Sequence, residues 1–598
     1  VVLPRDTDEL IATVAVARET GTPLTMRGAG TSMAGNAVGA GIVVDASRHL
    51  NRVLEIDPQA RTARVQPGVV HAALQKQALP HGLRYGPDPA SHSRCTIGGM
   101  LGNNACGARA LGYGRTVDNL RGLDVVTIDG RRLGWQDGKL IEGADAPLLG
   151  QAVAVVAADL STVRTEFATF GRQVSGYALE HLLPENGARV DRLLVGSEGT
   201  LGVVLGATVD LVESPPNRAL AVLGFPSMAD AADAVGSLLE HPLVACEGMD
   251  GRVVDAYVAR RGRRGVPELP DGSCWVLAEV TGESPEEAEA KAAKVAATVS
   301  AQGSRVVCEE SEIGAIWGIR EDGAGLTGQA LDRPSHSGWE DAAVPPANLG
   351  SYLRDFDALL DQYGLDGIPY GHLGEGCMHI RIDFALREPD GRSAFRSFLG
   401  DAARLVASHG GTLSGEHGDG RARSELLPAM YSPAALAMFA QVKHVFDADD
   451  LLNPGVLVDP RPADADLRLA ATLRDPTGLG LRLADDHGSL LHAVHRCTGI
   501  GKCRADGTAR GVVMCPSYLA TREEKDSTRG RARVLQEMLN GSLVSDGWKS
   551  AEVHEALDLC LSCKGCAHDC PTGIDMASYK AVALHERYRR RIRPRSHY

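Results

Sequence analysis

Hydrophobic patterns of helix and strand type alternate along most of the chain, and glycine-rich turns separate them. Residues 5–20 carry Leu10, Ile11, Val14, Ala15 and Ala17 at helical spacing behind Asp6 and Asp8, which predicts a capped helix. Pro23 to Arg27 reads as a short strand running into the turn Gly28-Ala29-Gly30-Thr31-Ser32, with Gly35 beyond it. A second glycine cluster, Thr96-Ile97-Gly98-Gly99 to Gly102-Asn103, follows Pro87-Asp88-Pro89. A third stretch, Leu194 to Val203 with Gly196, Gly199 and Gly202, reads as strand, glycine turn and strand. After Pro215-Pro216, strands over 219–225, 274–281 and 304–309 alternate with Ala-rich helices over 227–240 and 285–302, the pattern of a two-layer α+β cap. Pro345-Pro346 introduces a further helix over 347–363. Residues 458–490, rich in Asp, Arg and Pro, read as a linker with one short helix, and Ser527 to Arg533 opens another helix.

At 598 residues the chain should hold three or four domains. Apolar content of 44% and charged content of 23% describe an ordinary soluble protein, and a net charge of −14 argues against nucleic acid as a partner. Only the tail Arg587 to Arg595 is strongly basic; it suits an anionic membrane surface or a solvated helix face. No apolar run reaches the roughly 18 residues of a spanning helix, and no signal peptide is recognised. Both ends read as cut, as in a portion of a longer protein.

The cysteines change this picture. Of 13, seven fall between Cys497 and Cys570 while the others are scattered, which argues for a reducing compartment rather than a disulfide scaffold. Cys560-x2-Cys563-x2-Cys566-x3-Cys570-Pro571 has the spacing that wraps thiolates around an iron–sulfur cube, with the last cysteine crossing to a second cluster. Upstream lie Cys497-Thr-Gly-Ile500-Gly-Lys-Cys503 and Cys515-Pro516. A zinc site is the alternative, but it leaves the two prolines unexplained. The helix opened by Ser527 carries Arg529, Arg531 and Arg533, which either offset the clusters' negative charge or form a solvated face.

A second constellation is Gly371-His372-Leu-Gly374-Glu375-Gly376-Cys377-Met-His379-Ile-Arg381. An unbroken strand would turn the two histidines to opposite faces, and three glycines permit the bend that reunites them. Downstream, Ser414-Gly-Glu416-His417-Gly-Asp419-Gly420 offers a carboxylate and a third imidazole. Such a set suits zinc, manganese or iron, with structural histidines in a glycine-rich turn as the alternative. Backbone N–H groups of the glycine turns can cradle a pyrophosphate. They do not form the Rossmann fingerprint, because Met33 stands where the third glycine is expected.

Together these stretches resemble the vanillyl-alcohol-oxidase/PCMH flavoproteins, in the branch of D-lactate, glycolate and D-2-hydroxyglutarate dehydrogenases, over most of residues 1–457. The resemblance implies an α+β protein: a PCMH-type FAD-binding domain (1–213), a cap with the substrate and metal sites (214–457), the linker 458–490, and a helical ferredoxin-like domain (491–598). By that likeness Arg27, Gly28, Ala29, Gly30, Thr31, Ser32, Gly35, Pro87, Thr96, Gly98, Gly99, Asn103 and Gly199 line the FAD, with Asn453 returning beside the flavin. The counterparts of His372, His379 and Glu416 bind a divalent metal, that of His417 accepts the proton, and Arg320 matches a substrate arginine. Arg381 is a second carboxylate ligand or a surface salt-bridge residue. Ala324 and Trp339 stand where 2-hydroxyglutarate enzymes carry threonine and lysine, which favours a smaller acid such as D-lactate.

The run around Ile500 resembles the three-iron motif of succinate dehydrogenase iron–sulfur subunits. It implies a [4Fe–4S] cluster on Cys515, Cys560, Cys563 and Cys566, and a second cluster, [3Fe–4S] or [4Fe–4S], on Cys497, Cys503 and Cys570. The implied reaction oxidises a D-2-hydroxy acid at FAD and passes electrons to a quinone, cytochrome or electron-transfer flavoprotein. Glycolate oxidation, or an electron-transfer subunit of a respiratory complex, is the alternative. The expected setting is cytoplasmic or peripheral on the inner membrane face, as a monomer or homo-oligomer.

Overall fold

The computed structural model describes residues 1–142, 146–264, 266–468, 475–476, 478–507, 512–541 and 543–595. Three bodies of secondary structure meet around one cavity. The first opens with helix Thr7–Thr20, capped by Asp6 accepting from Glu9 N–H and ended by Gly21 in the left-handed region. Strand Leu24–Arg27 pairs in parallel with Ile42–Asp45. The main sheet here centres on Val203–Glu213, which pairs with Thr62–Val65 on one edge and with Leu120–Val126 on the other, while Leu83–Tyr85 pairs with its last residues, Leu211–Glu213. Buried and partly exposed residues alternate along Val203–Glu213, as expected of a strand with one face on the core.

The second body is a seven-stranded antiparallel sheet in the order Gly303–Val307, Asn217–Phe225, Cys274–Gly282, Ala245–Asp250, Gly367–His372, Cys377–Ile382, Ala342–Ala343. Val276, Ala278 and Val280 face one way, into the core with Ala288, Ala292 and Phe356. Trp275 and Leu277 face the other way, against Val253, Ile316 and Trp317. Leu349, Tyr352, Leu353, Phe356 and Leu360 bury one stripe of helix Leu349–Tyr363.

The third body is helical. Helix Thr528–Asn540 lies at its centre, packed on Leu490–His495 and Ala551–Asp558, with Met576–Tyr588 beside it.

Some sequence expectations shift. The helix over 227–240 divides into Met228–Asp233 and Val235–Leu238, and that over 285–302 ends at Ala296. The third glycine motif is preceded by a helical turn, Val190–Leu194, and not by a strand, because Val190, Leu193 and Leu194 bury one side at helical spacing. Ala245–Asp250 and helix Gly251–Arg261 are additional elements. In the linker, Ala484–Asp486 forms one helical turn, and residues 469–474 and 477 lie outside the described residues. Among the described residues, no helix is long and apolar enough to cross a membrane.

Candidate active site

One cavity joins all three bodies. Its floor is built from Arg27 to Ser32, Thr96, Gly98, Gly99, Asn103 and Gly199. The backbone explains the glycines. A Cβ at Gly28 would come within 2.1 Å of Thr96 Oγ1, and one at Gly98 within 2.8 Å of Pro67 O, so the two turns approach more closely than side chains allow. Thr96 itself caps helix Ile97–Asn103 by accepting from Gly99 N–H. An N–H-rich cradle with no room for a Cβ fits a flat ligand with phosphates.

Three predicted flavin neighbours sit behind this wall and not on it. Asn453 donates to Asn36 O at 3.0 Å and to Glu198 O at 2.8 Å, tying the first and third turns together. Pro87 offers its carbonyl to His71 Nε2, and Gly35 packs on Arg421. The lining also includes Asn36, Arg94, Ser197 and Glu198, which motif reading missed because they flank the glycines without repeating them.

The opposite end of the cavity carries the histidines. Gly367–His372 and Cys377–Ile382 form an antiparallel hairpin in which His372 stands opposite Cys377 and Tyr370 opposite His379. That register turns Tyr370, His372, His379 and Arg381 to one face, so a hairpin rather than a mere bend reunites the histidines. Glu416 and His417 reach the same point from a loop fixed by Asp341, whose carboxylate accepts from Ser414 Oγ (2.6 Å) and from the backbone N–H of Gly415, Glu416 and His417.

Glu416 Oε1 lies 3.2 Å from His372 Nε2 and 3.3 Å from Nε2 of both His379 and His417. The Nδ1 sides are backed by carboxylates: Glu247 at 2.7 Å from His372, and Asp341 at 3.9 Å and 3.8 Å from His379 and His417. The Nδ1 atoms of His379 and His417 are buried and lack hydrogen-bond partners. Asp341, His379, Glu416 and His417 form one tight group of donors, which His372 Nε2 joins at Glu416 Oε1, and imidazoles converging on a carboxylate with further carboxylates behind the rings fit a divalent metal. Burial opposes charge on His372, but Glu247 and Glu416 outweigh it and push its pKa up to about 9. For His417 burial likewise opposes the charge, and Asp341 and Glu416 raise the pKa; His379 is lowered by burial. Arg172, fully buried, holds the second oxygen of Glu416 at 3.3 Å and also pairs with Glu375, while Gly107 N–H donates to that oxygen at 2.8 Å.

Arg320 lines the cavity over the Tyr370 ring, with Nη2 on Glu247 at 2.6 Å and a buried Nε that lacks a hydrogen-bond partner. Arg381 is not a surface residue. It is 2% exposed, lies 3.3 Å from Glu340 Oε2, and sits one step behind the wall that Glu340 and Tyr370 form. Trp339 is buried and outside the lining; its neighbour Glu340 presents the carboxylate. The Ala324 side chain lies outside what is described.

Ile500 closes the cavity from the helical body. Its carbonyl accepts from Arg94 Nε at 2.6 Å, and Lys502 Nζ contacts both oxygens of Asp322 at 2.5 and 2.7 Å. Thus the run Cys497–Cys503 lies against the flavin-side turns. Burial raises the Cys497 thiol pKa, and Cys570 adds to it; burial pushes Cys503 up to about 12, with Cys497 contributing, while Cys570 acts on Cys566 as well. A separate small cavity is lined by Cys515, Cys560, Cys563 and Cys566. Arg531 Nη1 donates to Cys515 Sγ at 3.4 Å, and Arg529 N–H to Cys503 Sγ at 3.3 Å. The arginines at 529 and 531 therefore serve the cysteines, while Arg533 pairs with Glu537.

Comparison with known proteins agrees with this division. Residues 1–134 match the FAD binding domain family, 214–457 the C-terminal domain of FAD linked oxidases, and 493–574 the 4Fe-4S dicluster domain. A D-2-hydroxyglutarate dehydrogenase of Pseudomonas putida is 30% identical over 95% of this chain and 62% of its own length. The chain thus spans less than two thirds of that relative. A D-lactate dehydrogenase of Archaeoglobus fulgidus is 31% identical over 77% of this chain and 91% of its own length. Among solved structures, 4-ethylphenol oxidase from Gulosibacter chungangensis shares the fold, with a TM-score of 0.54 at 16% identity over 76% of this chain and 88% of its own. The chain belongs to the FAD-linked oxidase family, in the branch that holds D-2-hydroxyglutarate and D-lactate dehydrogenases, and carries a 4Fe–4S dicluster domain on the same polypeptide.

Proposed function

We propose that the protein oxidises a D-2-hydroxy acid, D-lactate or D-2-hydroxyglutarate, to the 2-oxo acid and delivers the electrons to an external acceptor. The domains would be 1–213 for FAD, 214–457 for substrate and metal, and 491–598 for two clusters, joined by 458–490. The observation that carries this reading is a single cavity bounded by the glycine turns, by the histidine–Glu416 centre and by Ile500 of the cysteine run. Bound there, FAD would supply a two-electron acceptor, the divalent metal a Lewis acid on the substrate oxygens, and the clusters a one-electron outlet.

The chain's own residues do the rest. His372, His379 and Glu416 would hold the metal, with Glu247, Asp341 and Arg172 fixing their orientation. His417, with Asp341 on its Nδ1 side, turns Nε2 toward the substrate and accepts the hydroxyl proton. Arg320 offers its unpartnered N–H to the substrate carboxylate, and Arg381 keeps Glu340 in place. Glu340, an anionic wall residue, disfavours a second carboxylate nearby, which favours the shorter acid.

Anaerobic absorbance of the flavin during mixing with D- and L-lactate, glycolate and D-2-hydroxyglutarate tests the proposal. Rapid bleaching by one D-acid is expected, and its loss by about 100-fold or more in His417→Ala with FAD and metal retained. Equal bleaching by wild type and His417→Ala would remove the assigned base; no bleaching by any of these acids would remove the substrate class.

A further inference from the structure

Arg529 stands where the helical body meets the flavin-side turns. It is the second residue of helix Thr528–Asn540, whose cap Ser527 accepts from Gly530 N–H. Its backbone N–H donates to Cys503 Sγ, so the positive end of this helix faces that thiolate. All five N–H groups of its guanidinium have acceptors. Nε and Nη2 fork onto Glu524 at 2.7 and 2.9 Å, Nη1 reaches Gly30 O at 2.8 Å and Gly499 O at 3.2 Å, and Nη2 reaches Ala29 O at 2.9 Å. Glu524 alone would engage two of those donors. The others are spent on the turn that cradles the flavin phosphates and on the loop between Cys497 and Cys503.

We propose that Arg529 is a positioning residue with two tasks: it locks the Cys497–Cys503 run onto the Ala29–Gly30 turn, and its charge raises the reduction potential of the cluster at Cys497, Cys503 and Cys570. The second task rests on the reading of that cluster given above. Reduction adds negative charge to a thiolate-bound cluster, so a buried cation and an N–H donor beside it favour the reduced form. The first task follows from geometry. Gly30 sits at φ +60°, and its carbonyl and that of Ala29 point out of the cavity toward Arg529, so the guanidinium ties the turn from outside. Lysine could supply the charge but not a planar fork of five donors. The two tasks are therefore separable.

The test is an anaerobic EPR redox titration of the holoenzyme, with flavin release measured by ultrafiltration. In Arg529→Met the midpoint of the cluster at Cys503 should fall by about 59 mV, a tenfold shift in its oxidised-to-reduced ratio, with the other cluster unmoved and flavin released faster. Arg529→Lys should restore the midpoint while flavin release stays fast. Wild-type midpoint and wild-type release in Arg529→Met would overturn the proposal. Where Arg529→Met does not accumulate as holoenzyme, Arg529→Lys decides: wild-type flavin release in it overturns the locking role. Cys503→Ser separates the two levels, because retention of every cluster signal there overturns the cluster reading and the electrostatic task with it.

Discussion

One oxygen of Glu416 faces three imidazole nitrogens, while the other is held by Gly107 N–H and the Arg172 guanidinium. This division of labour within one carboxylate makes Arg172 the residue that decides which oxygen points at the centre. Arg172→Met should leave the fold intact in circular dichroism but weaken metal retention by about 10- to 100-fold, read as bound metal after dialysis against a graded chelator. Unchanged metal content would leave Arg172 as a structural ion-pair residue only. His71 makes a different kind of prediction. Burial depresses its pKa to about 3, and its Nε2 donates to Pro87 O beside the flavin wall. A histidine kept neutral in the folded state takes up a proton first when unfolded. Its linkage therefore costs nothing above the unfolded value near 6.5 and removes stability as pH falls from there toward about 3. His71→Gln should flatten the fall of Tm between pH 6.5 and 4 relative to wild type.

At the scale of elements, the sequence marked the turn between the histidines and the spacing of the cysteines better than it marked their supports. Glycines 371, 374 and 376 marked a turn between two histidines, and C-x2-C-x2-C-x3-C-P marked a cluster loop, because both demand particular residues at particular spacings. Glu247, Asp341 and Arg172 carried no such mark. Each is a lone charge in its own segment, and only the pairing of Ala245–Asp250 with Gly367–His372, or the fold of the Ser414–His417 loop, gives it a partner. Asn453, placed beside the flavin by family likeness, instead stitches two turns from behind, a role that depends on a chain return invisible to local pattern. The crossed cysteines lend themselves to a direct check. Cys515→Ser and Cys563→Ser should extinguish the same EPR signal, since both line one small cavity although 48 residues separate them by subtraction of their numbers, and Cys570→Ser should extinguish the other. Loss of different signals in the first two variants would break the assignment.

For the whole molecule, the matter is how a helical body stays seated on a flavin and substrate cavity so that Ile500 remains its lid. The contacts are polar and come from both other bodies: Arg504 on Ala29 O and Ser47 Oγ, Arg94 on Ile500 O, Arg48 on Thr521 O, Arg260 on Ala567 O, and Lys502 on Asp322. Most of them end on backbone carbonyls, which resist mutation, whereas Lys502–Asp322 joins two side chains and can be probed from both ends. Its partners are partly shielded, with side chains 26% and 11% exposed, so the pair should couple at about 1 kcal/mol, the upper end for surface ion pairs. Loss of that coupling would let the lid segment open about fivefold more often. Hydrogen exchange should therefore quicken by about that factor over residues 497–505 in Lys502→Met, with residues 551–583 unaffected. Asp322→Asn should produce at least as large a rise, because Arg261 also reaches Asp322 at 3.6 Å, and the double variant no more than Asp322→Asn alone. Additive effects would mean that each residue steadies the lid separately, and the flavin would then keep its cover through the arginine–carbonyl contacts alone.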